Sequence, residues 1–544
     1  LGCTSKRWSF YIRNFNYICD KIYYKDMYIT KSEKHEEYIM GKKYYEFMSG
    51  LSSEDLYEGL LGHGLFSDKL PPFLTSEMFF EYCNKHEPEF GNHKNGQSYI
   101  FYETMRNINI PRSLGIPNPM SYQRLCLHLK SIWDHVIEHF KNKTQDEEYK
   151  MSRIHIRKMK DNSKIFKMNY SDFKNDGTPE PDLLIGKKYQ VNADISTCFP
   201  SIYSHSIAWA LVGKETAKQN KKDTKTWYNE LDFYARNTKN GETNGLLIGP
   251  DASNLLSEII LTSIDYELHK AGWRYIRNID DYTCYVTSYE KGQQFLVELS
   301  QQLRSYDLIL NHKKTQIRPL PIASVEHWVR KLDTYAKFNE KEIVNFKDVR
   351  SYLDLSIQLM QENNNNSAIL NFAIKVLSVS KKKMTTNAIE YFVKTIFHLA
   401  TIYPYLIPLL EDNLFKVFKV EREVISEFSK LIYEEGMNSN NFEAVSYAIY
   451  YSLKYDFVIE ELDFMNIRGS NHCILLLLAF LYCKQYNLSA EMTRFRKIAN
   501  ELNKDDENFN RNWLFVYEVL SKSALKGDWK KLKENEVSFV MDLR

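Results

Sequence analysis

Apolar and polar residues alternate in several short stretches of the chain, and this period of two predicts half-buried β-strands. One stretch runs from Tyr189 to Ile195, where Val191, Ala193 and Ile195 alternate with polar residues. Asp194 therefore stands near the end of a predicted strand. A helix over about 201–211 is predicted next, and it leads the chain away from this acid.

A pair of adjacent acids lies between two further predicted strands. The runs Arg274–Ile279 and Tyr282–Val286 are rich in aromatic and β-branched residues, which favour strands, and they flank Asp280 and Asp281. Because Asp is rare in strands and common in tight turns, we predict a hairpin with two carboxylates at its tip. Adjacent carboxylates repel each other unless a cation lies between them, which favours a divalent-metal site. An isolated Asp-Asp pair, however, is more often a solvated turn.

The acid at the strand end and the acids of the hairpin are far apart in sequence. Asp194 precedes Asp280 by 280 − 194 = 86 residues, so only tertiary folding brings them together. One acid on a strand and two on a neighbouring hairpin is the arrangement of two-metal polymerases. In that mechanism one ion activates a 3′-hydroxyl and the other stabilises the leaving pyrophosphate, the ions lying ~3.5–4 Å apart. We therefore predict that Asp194, Asp280 and Asp281 bind two Mg²⁺ ions, with Mn²⁺ as a substitute.

The pattern changes after Lys341, where apolar residues recur at spacings of three and four and predict helices. Short breakers, such as N-N-N-N at 363–366 and Gly469–Ser470, separate these helices. Helix pairs at intervals of roughly 40 residues predict an α-solenoid of HEAT type. The alternative is a compact all-α domain without repeats.

Composition limits the class of protein. A chain of 544 residues, 43% hydrophobic and 26% charged, is typical of a multidomain globular protein. The net charge is only +2, so a nucleic-acid surface has to be a local patch. The eight cysteines include no C-x-x-C pair, which indicates reduced cytosolic thiols. The longest apolar run, Ile474–Tyr482, is too short to span a bilayer, so we expect no membrane segment.

The most basic window spans residues 141–174, with ten Lys/Arg, five Asp/Glu and a local net charge of +5. Within it, R-I-H-I-R at 153–157 predicts a strand with one cationic and one buried face, followed by a turn and a return strand. Arg forks match phosphate oxygens, so Arg153 and Arg157 are candidates for contacts to a nucleoside triphosphate. A solvated hairpin is the alternative.

Four motifs occur in the order of a reverse transcriptase palm. They are D-I-S-T-C-F (Asp194–Phe199), G-L-L-I-G-P-D-A-S-N-L-L-S-E-I (Gly245–Ile259), N-I-D-D (Asn278–Asp281) and L-I-L-N-H-K-K-T (Leu308–Thr315). Each motif alone is a weak signal, but together, in this order and spacing, they resemble the reverse transcriptases. Within that family the chain looks most like the bacterial abortive-infection, or defence-associated, enzymes. That likeness rests on I-P-R-S-L-G-I-P-N-P-M-S-Y (Ile110–Tyr122), Y-S-H-S-I-A-W-A-L (Tyr203–Leu211) and I-G-P-D-A-S in the second motif.

The resemblance covers residues 100–330 by motif and the rest of the chain by layout only. It implies an α+β fold in which reverse-transcriptase fingers and palm precede an all-α, HEAT-like helical repeat domain in the thumb position. The implied division is an N-terminal helical extension at 1–100, fingers at 101–188, a palm at 189–335 and the helical repeats at 336–544.

The resemblance also implies roles for single residues. Phe199, five residues after Asp194, matches the steric gate that collides with a 2′-hydroxyl, which implies dNTP substrates. Lys314 matches the family lysine that protonates the departing pyrophosphate. The other candidates are Arg153, Arg157, Ile195 and Gly249 for nucleotide binding, and Lys158, Lys160 and Ser257 for nucleic-acid binding.

Two positions depart from the family pattern. The usual Gln before Gly249 is Ile248, and the aromatic residue that usually begins the hairpin motif is Asn278. The metal ligands survive both changes, whereas template handling and fidelity are left open.

These observations predict a DNA polymerase of the reverse-transcriptase type that acts in antiphage defence in the bacterial cytoplasm. Some relatives start synthesis on a protein tyrosine or without a template, but the sequence nominates no priming tyrosine. One alternative is an enzyme that copies a dedicated non-coding RNA. Another is an inactive scaffold that only binds nucleic acid. Helical repeats often mediate assembly, so we also expect a homo-oligomer.

Overall fold

The structure is a computed structural model of the chain, in which the described residues form two compact units. It describes residues 43–88, 90, 96–106, 110–156, 166–167, 178–336, 341–460 and 462–543. The described residues of the first unit fall within Leu1–Ser67, Ser76–Tyr99 and Gly115–Ile322. Those of the second, which we call the helical unit, fall within Asp68–Thr75, Ile100–Leu114 and Ala323–Arg544. The four-part division made from the sequence stays a prediction.

Two short strand pairs precede the main sheet. One consists of β1 (Ile100–Arg106) and β2 (Ile110–Ile116), the other of β3 (His155–Ile156) and β4 (Phe166–Lys167). β3 and β4 are antiparallel, with His155 opposite Lys167. The hairpin predicted in the basic window therefore has strands of only two residues each.

The main sheet of the first unit has four strands in the order β6-β7-β5-β8. They are β5 (Tyr189–Asp194), β6 (Tyr275–Asn278), β7 (Asp281–Val286) and β8 (Gln316–Pro319), and each neighbouring pair is antiparallel. Val191 and Ala193 are buried as the alternation predicts, but Asn192 and Asp194 are buried as well, so β5 is not the half-buried strand expected; it ends at Asp194 as predicted.

Helices cover this sheet and build the core of the first unit. Helix Tyr289–Ser305 packs on β5, β7 and β8 through side chains that include Phe295 and Leu299, both fully buried. Helix Asp251–Lys270 packs between it and helix Trp133–Thr144. The remaining helices are Tyr44–Ser49, Ser53–Glu58, Glu77–His86, Pro119–Ser131, Glu180–Leu184, Cys198–Ser201, His205–Val212, Lys214–Gln219 and Trp227–Asn237, with a π-helical turn at Gly59–His63.

One helix differs from its prediction. The helix expected over 201–211 is divided into Cys198–Ser201 and His205–Val212. Ile202 has extended backbone angles, φ −62° and ψ 119°, which interrupt the helix between these two parts.

In the helical unit, successive helices pack against each other along the chain, for example Arg422–Ser439 on Phe442–Tyr455. Polar side chains fix several helix starts; Asn345, for instance, accepts backbone N–H bonds from Lys347 and Asp348. The α-helices are His327–Tyr335, Phe346–Glu362, Ser367–Val379, Thr386–Ile402, Lys416–Phe418, Arg422–Ser439, Phe442–Tyr455, Phe464–Gly469, Cys473–Gln485, Ser489–Leu502, Asp506–Arg511, Trp513–Val519 and Gly527–Glu534. Ser380–Lys383 and Pro404–Leu409 are 3₁₀-helical, and Glu411–Phe415 is π-helical. A HEAT-type repeat organisation stays a prediction.

The apolar run Ile474–Tyr482 lies within helix Cys473–Gln485, most of which is buried. Within the described ranges, no helix has both the length and the apolar character needed to cross a membrane. None of the six described cysteines forms a disulfide.

Candidate active site

The backbone brings the three predicted acids together at one end of the main sheet. β5 and β7 pair with Asp194 directly opposite Asp281. One residue further on, the N–H of Ile195 donates to the carbonyl oxygen of Asp280 at 3.0 Å. Directly opposed residues of antiparallel strands have Cα atoms roughly 4.5–5.5 Å apart. The 86 residues between Asp194 and Asp280 thus fold so that these acids become neighbours.

The tip of the hairpin holds Asp280, whereas Asp281, also predicted at the tip, is the first residue of β7. Asn278 pairs with Asp281 across β6 and β7, and Ile279 and Asp280 form the turn between them. Ile279 has a φ of +54°, in the left-handed region. A β-branched side chain crowds the backbone there, so this conformation is strained and persists only where surrounding contacts hold it.

The carboxylate of Asp194 accepts hydrogen bonds at both of its oxygens. Asn311 Nδ2 donates to Oδ1 at 3.0 Å, and Lys314 Nζ lies 3.1 Å from Oδ2. The backbone N–H of Asn311 also donates to the carbonyl oxygen of Asp194 at 2.7 Å. The Asp194 side chain is almost fully buried and that of Lys314 is 33% exposed. The motif Leu308–Thr315 is therefore held against the end of β5.

The three aspartates suit Mg²⁺ by donor chemistry, because Mg²⁺ prefers carboxylate oxygens. Their side chains are not, however, arranged as a ready-made site: among the described residues, no group of three or more His, Cys, Asp or Glu is placed to hold a metal ion. Asn311 and Lys314 each occupy one lone pair on an oxygen of Asp194, so an ion at Asp194 would bind a carboxylate that is already partly neutralised.

Phe199 and Gly249 lie on segments that are tied to their surroundings through the backbone. The half-buried Phe199 belongs to helix Cys198–Ser201, and its carbonyl oxygen accepts the N–H of Leu246 at 2.8 Å. Gly249 has a φ of +136°, and a Cβ atom on it would lie 3.2 Å from the carbonyl oxygen of Gly115. The approach of the chain at Gly115 therefore requires glycine at position 249.

The remaining candidates differ in their surroundings. Ile195 is buried. Arg153, expected on a cationic face, is buried instead, with Nη2 3.5 Å from Glu180 Oε1. Ser257, expected to contact nucleic acid, has no exposed surface and donates to the carbonyl oxygen of Asn254, because helix Asp251–Lys270 is enclosed on most sides. Arg157, Lys158 and Lys160 lie outside the described residues.

Two residues at the site were not singled out from the sequence. Asn311 lies inside the fourth motif, but nothing in its spacing distinguishes it from a turn residue. Arg277 lies on β6, fully buried, and its Nη1 donates to the carbonyl oxygen of Ile279 at 2.8 Å. The signal that could have singled out Arg277 is its position in an apolar strand shortly before two acids.

An antiparallel sheet with one aspartate at the end of an inner strand and two more on the adjoining hairpin is the palm arrangement of a nucleotide polymerase. Residues 129–370 match the family model described as "Reverse transcriptase (RNA-dependent DNA polymerase)". The chain therefore contains a reverse transcriptase domain, the domain of RNA-directed DNA polymerases. All three aspartates lie inside the matched segment.

Comparison with other proteins adds little to this assignment. No curated protein matches the chain significantly. Two solved structures that resemble it are the telomerase of Candida albicans in complex with a TWJ fragment of telomeric RNA and the apo telomerase of Candida tropicalis. The first is 12% identical with a TM-score of 0.27, and the match covers 65% of each chain. The second is 11% identical with a TM-score of 0.31, covering 75% of this chain and 70% of the other. Similarities this low support no conclusion about function.

Proposed function

We propose that this protein extends DNA with dNTPs and that Asp194, Asp280 and Asp281 hold two Mg²⁺ ions for the reaction. The observation that supports this most directly is the pairing of Asp194 with Asp281, with Asp280 on the adjoining turn, inside the reverse transcriptase domain. Two bound ions supply activation of the 3′-hydroxyl and stabilisation of the charge on the departing pyrophosphate.

The side chains around the acids have separate roles in this proposal. Asp194 and Asp280 bind both ions, and Asp281 completes the carboxylate cluster. Phe199 excludes a 2′-hydroxyl and so selects dNTPs. Lys314, whose Nζ lies 3.1 Å from Asp194 Oδ2, would donate a proton to the departing pyrophosphate.

The test is an incorporation assay with a matched charge control. Purified protein is incubated with Mg²⁺ and each labelled dNTP, with and without primer, DNA or RNA. We expect incorporation by the wild type and at least a 1000-fold loss in Asp280→Ala/Asp281→Ala. Asp307→Asn removes one exposed acid outside the cluster and should retain activity. Labelling that survives in the double variant contradicts the role of the aspartates. No labelling in any protein under any condition contradicts DNA synthesis and favours a scaffold.

The same assay distinguishes the ways in which synthesis can start. We propose that synthesis starts on a protein tyrosine or without a template, as in some relatives of the enzymes that the motifs resemble. Label that runs with the protein on a denaturing gel until protease treatment supports tyrosine priming. Label that appears only when an RNA is supplied indicates instead an enzyme that copies a dedicated non-coding RNA.

We further propose that the protein acts in antiphage defence in the bacterial cytoplasm. Support comes from the segments Ile110–Tyr122 and Tyr203–Leu211, which resemble those of abortive-infection enzymes. Expression of the wild type in a bacterial host should lower phage plating at least tenfold, and Asp280→Ala/Asp281→Ala should restore it. Equal plating in both strains, over a panel of phages, contradicts the proposal.

A further inference from the structure

A fully buried arginine lies directly behind the turn that presents Asp280. Arg277 is on β6, two residues before Ile279, and its side chain has no exposed surface. Its backbone N–H donates to Met151 and its carbonyl oxygen accepts from Arg153, at 2.8 and 2.9 Å. Arg277 thus links β6 to the segment that leads into β3.

The guanidinium of Arg277 donates four hydrogen bonds within the protein and makes one further close ion contact. Nε donates to Asp265 Oδ2 at 2.8 Å, and Nη2 lies 2.6 Å from the same oxygen. Nη1 and Nη2 donate to the two oxygens of Glu258 at 3.0 and 2.9 Å. Nη1 also donates to the carbonyl oxygen of Ile279 at 2.8 Å. A planar fork that is held at all three of its nitrogens has little freedom to rotate.

Both carboxylates that hold this guanidinium are themselves fixed. Glu258 and Asp265 lie on the 20-residue helix Asp251–Lys270 and are buried. Tyr44 donates to Glu258 at 2.8 Å and Tyr275 donates to Asp265 at 2.7 Å. The network therefore fixes the carbonyl oxygen of Ile279 relative to helix Asp251–Lys270.

That carbonyl oxygen belongs to the peptide that joins Ile279 to Asp280. The direction of this oxygen defines the plane of the peptide and therefore the position of the backbone nitrogen of Asp280. Ile279 is strained at φ +54°, so without a fixed hydrogen bond this residue relaxes toward ordinary backbone angles. Relaxation changes the direction of Asp280 relative to Asp194.

We propose that Arg277, held by Glu258 and Asp265, is a positioning residue that keeps Ile279 in the left-handed conformation and so directs Asp280 toward the metal ions. The inference rests on the proposed function of the three aspartates. It concerns how the turn is held, so it can be tested through metal binding as well as through DNA synthesis.

The experiment is a double-mutant cycle on Mn²⁺ binding, followed by the EPR signal of free Mn²⁺. The four proteins are the wild type, Arg277→Lys, Ile279→Gly and the double variant, and site-specific binding is the part lost in Asp280→Asn. Lysine has three donors and no planar fork, so it cannot reproduce the contacts of Arg277 with Glu258, Asp265 and Ile279, and Arg277→Lys should weaken Mn²⁺ binding at least tenfold. In the Ile279→Gly background the same change should cost less than threefold, because glycine adopts a positive φ without support.

Several results would overturn the inference. They are an unchanged Mn²⁺ affinity in Arg277→Lys, an equal loss in both backgrounds, and wild-type binding that Asp280→Asn does not reduce. Arg468→Lys, which alters an Arg–Glu pair in the helical unit, is the matched control and should bind Mn²⁺ as the wild type does.

A replacement variant and a parallel activity measurement complete the experiment. If Arg277→Lys does not fold, Arg277→Met/Glu258→Gln/Asp265→Asn replaces it, because this variant removes the buried charges together and leaves none without a partner. dNTP incorporation is measured in parallel on every protein. A wild type that binds Mn²⁺ at the turn but incorporates nothing contradicts the proposed function, while the cycle still decides the role of Arg277.

Discussion

Lys314 competes with a metal ion for the carboxylate of Asp194 at the end of β5. The Lys314 ammonium lies at one oxygen of Asp194 and Asn311 donates to the other, so the carboxylate is already compensated before an ion arrives. In return, Lys314 partly offsets the repulsion between Asp194 and the neighbouring acids. The same contact therefore stabilises the metal-free site and lowers its affinity for metal.

Removing this competition should strengthen metal binding. We expect Lys314→Met to raise the Mn²⁺ affinity about fivefold, equivalent to ~1 kcal/mol, since the lysine is one-third exposed and its ion pair is weakened by solvent. If Lys314 also protonates the pyrophosphate, turnover should fall in the same variant. The exposed neighbour Lys313, changed to Met, is the control for loss of charge. Calorimetric titration checks the affinity, and weaker binding in Lys314→Met contradicts the prediction.

At the residue scale, the sequence was informative where chemistry is local. The three acids and Lys314 follow from motifs, and the structure brings these four residues to one end of the sheet. Burial was harder to predict: Arg153 and Ser257 have polar side chains, yet both lie inside the protein. Arg153 meets Glu180 only through tertiary folding, and Ser257 donates to the carbonyl oxygen of Asn254 through the geometry of its helix. The polarity of these two residues indicates neither contact.

At the scale of the elements, helix Arg422–Ser439 lies close to helix Phe442–Tyr455 at Gly436. A Cβ atom on Gly436 would lie 2.9 Å from Val445 Cγ2 and 3.1 Å from the carbonyl oxygen of Asn441. We expect Gly436→Ala to lower the stability of the helical unit by ~1–2 kcal/mol, a few degrees in Tm, despite the better helix propensity of alanine. Gly469→Ala, where the added Cβ meets nothing within 4 Å, should change Tm by less than a degree. A scanning calorimetry trace with equal Tm values for both variants contradicts this expectation.

A contact between Glu443 and Met105 should make the stability of the helical unit depend on pH. Glu443, on helix Phe442–Tyr455, accepts the backbone N–H of Met105, and burial raises its pKa to about 8 although the nearby Lys69 lowers it. Because the pKa is about 4.5 when unfolded, the folded protein retains a proton that the unfolded chain loses between pH 4.5 and 8. Stability should therefore fall as the pH rises through this window.

Glu443→Gln should remove this pH dependence. We expect its Tm to exceed that of the wild type by a few degrees at pH 9 and to match it near pH 5, in thermal melts across that range. The exposed Glu434, changed to Gln, is the control and should leave the pH profile unchanged. A difference that grows toward low pH contradicts the assignment.

The end of β5 and most helices after Lys341 agree with their predictions, because both have local signals. The end of β5 at Asp194 and the hairpin around Asp280 follow from alternation and from the turn preference of Asp. The break at Ile202 did not, because no Gly or Pro stands at this position; the backbone changes direction there to let Gly245 N–H donate to the carbonyl oxygen of Ile202 at 2.7 Å. Such a contact links segments more than forty residues apart in the chain and has no local signal.

At the scale of the whole molecule, the net charge of +2 indicates that nucleic acid is bound by local surfaces. The helical unit exposes apolar side chains, among them Met465 at 78% and Val458 at 51%. Together with the helical layout, this favours self-association, and we expect a homo-oligomer. Light scattering after size exclusion should give a mass that is a multiple of 64.5 kDa; monomer alone over a hundredfold concentration range contradicts it.

The strand order of the main sheet has a consequence for synthesis on the ribosome. β5 lies between β7 and β8, and both of these partners are made later than β5 itself. While the chain emerges from the ribosome, both edges of β5 lack their partner strands and can pair wrongly. This lasts until β8, which ends at Pro319, has left the exit tunnel. A nascent or truncated chain that ends before Asp280 contains Asp194 without either of its acidic neighbours. Under the proposed function such a chain has no activity, and DNA synthesis requires that the strands carrying all three acids have paired.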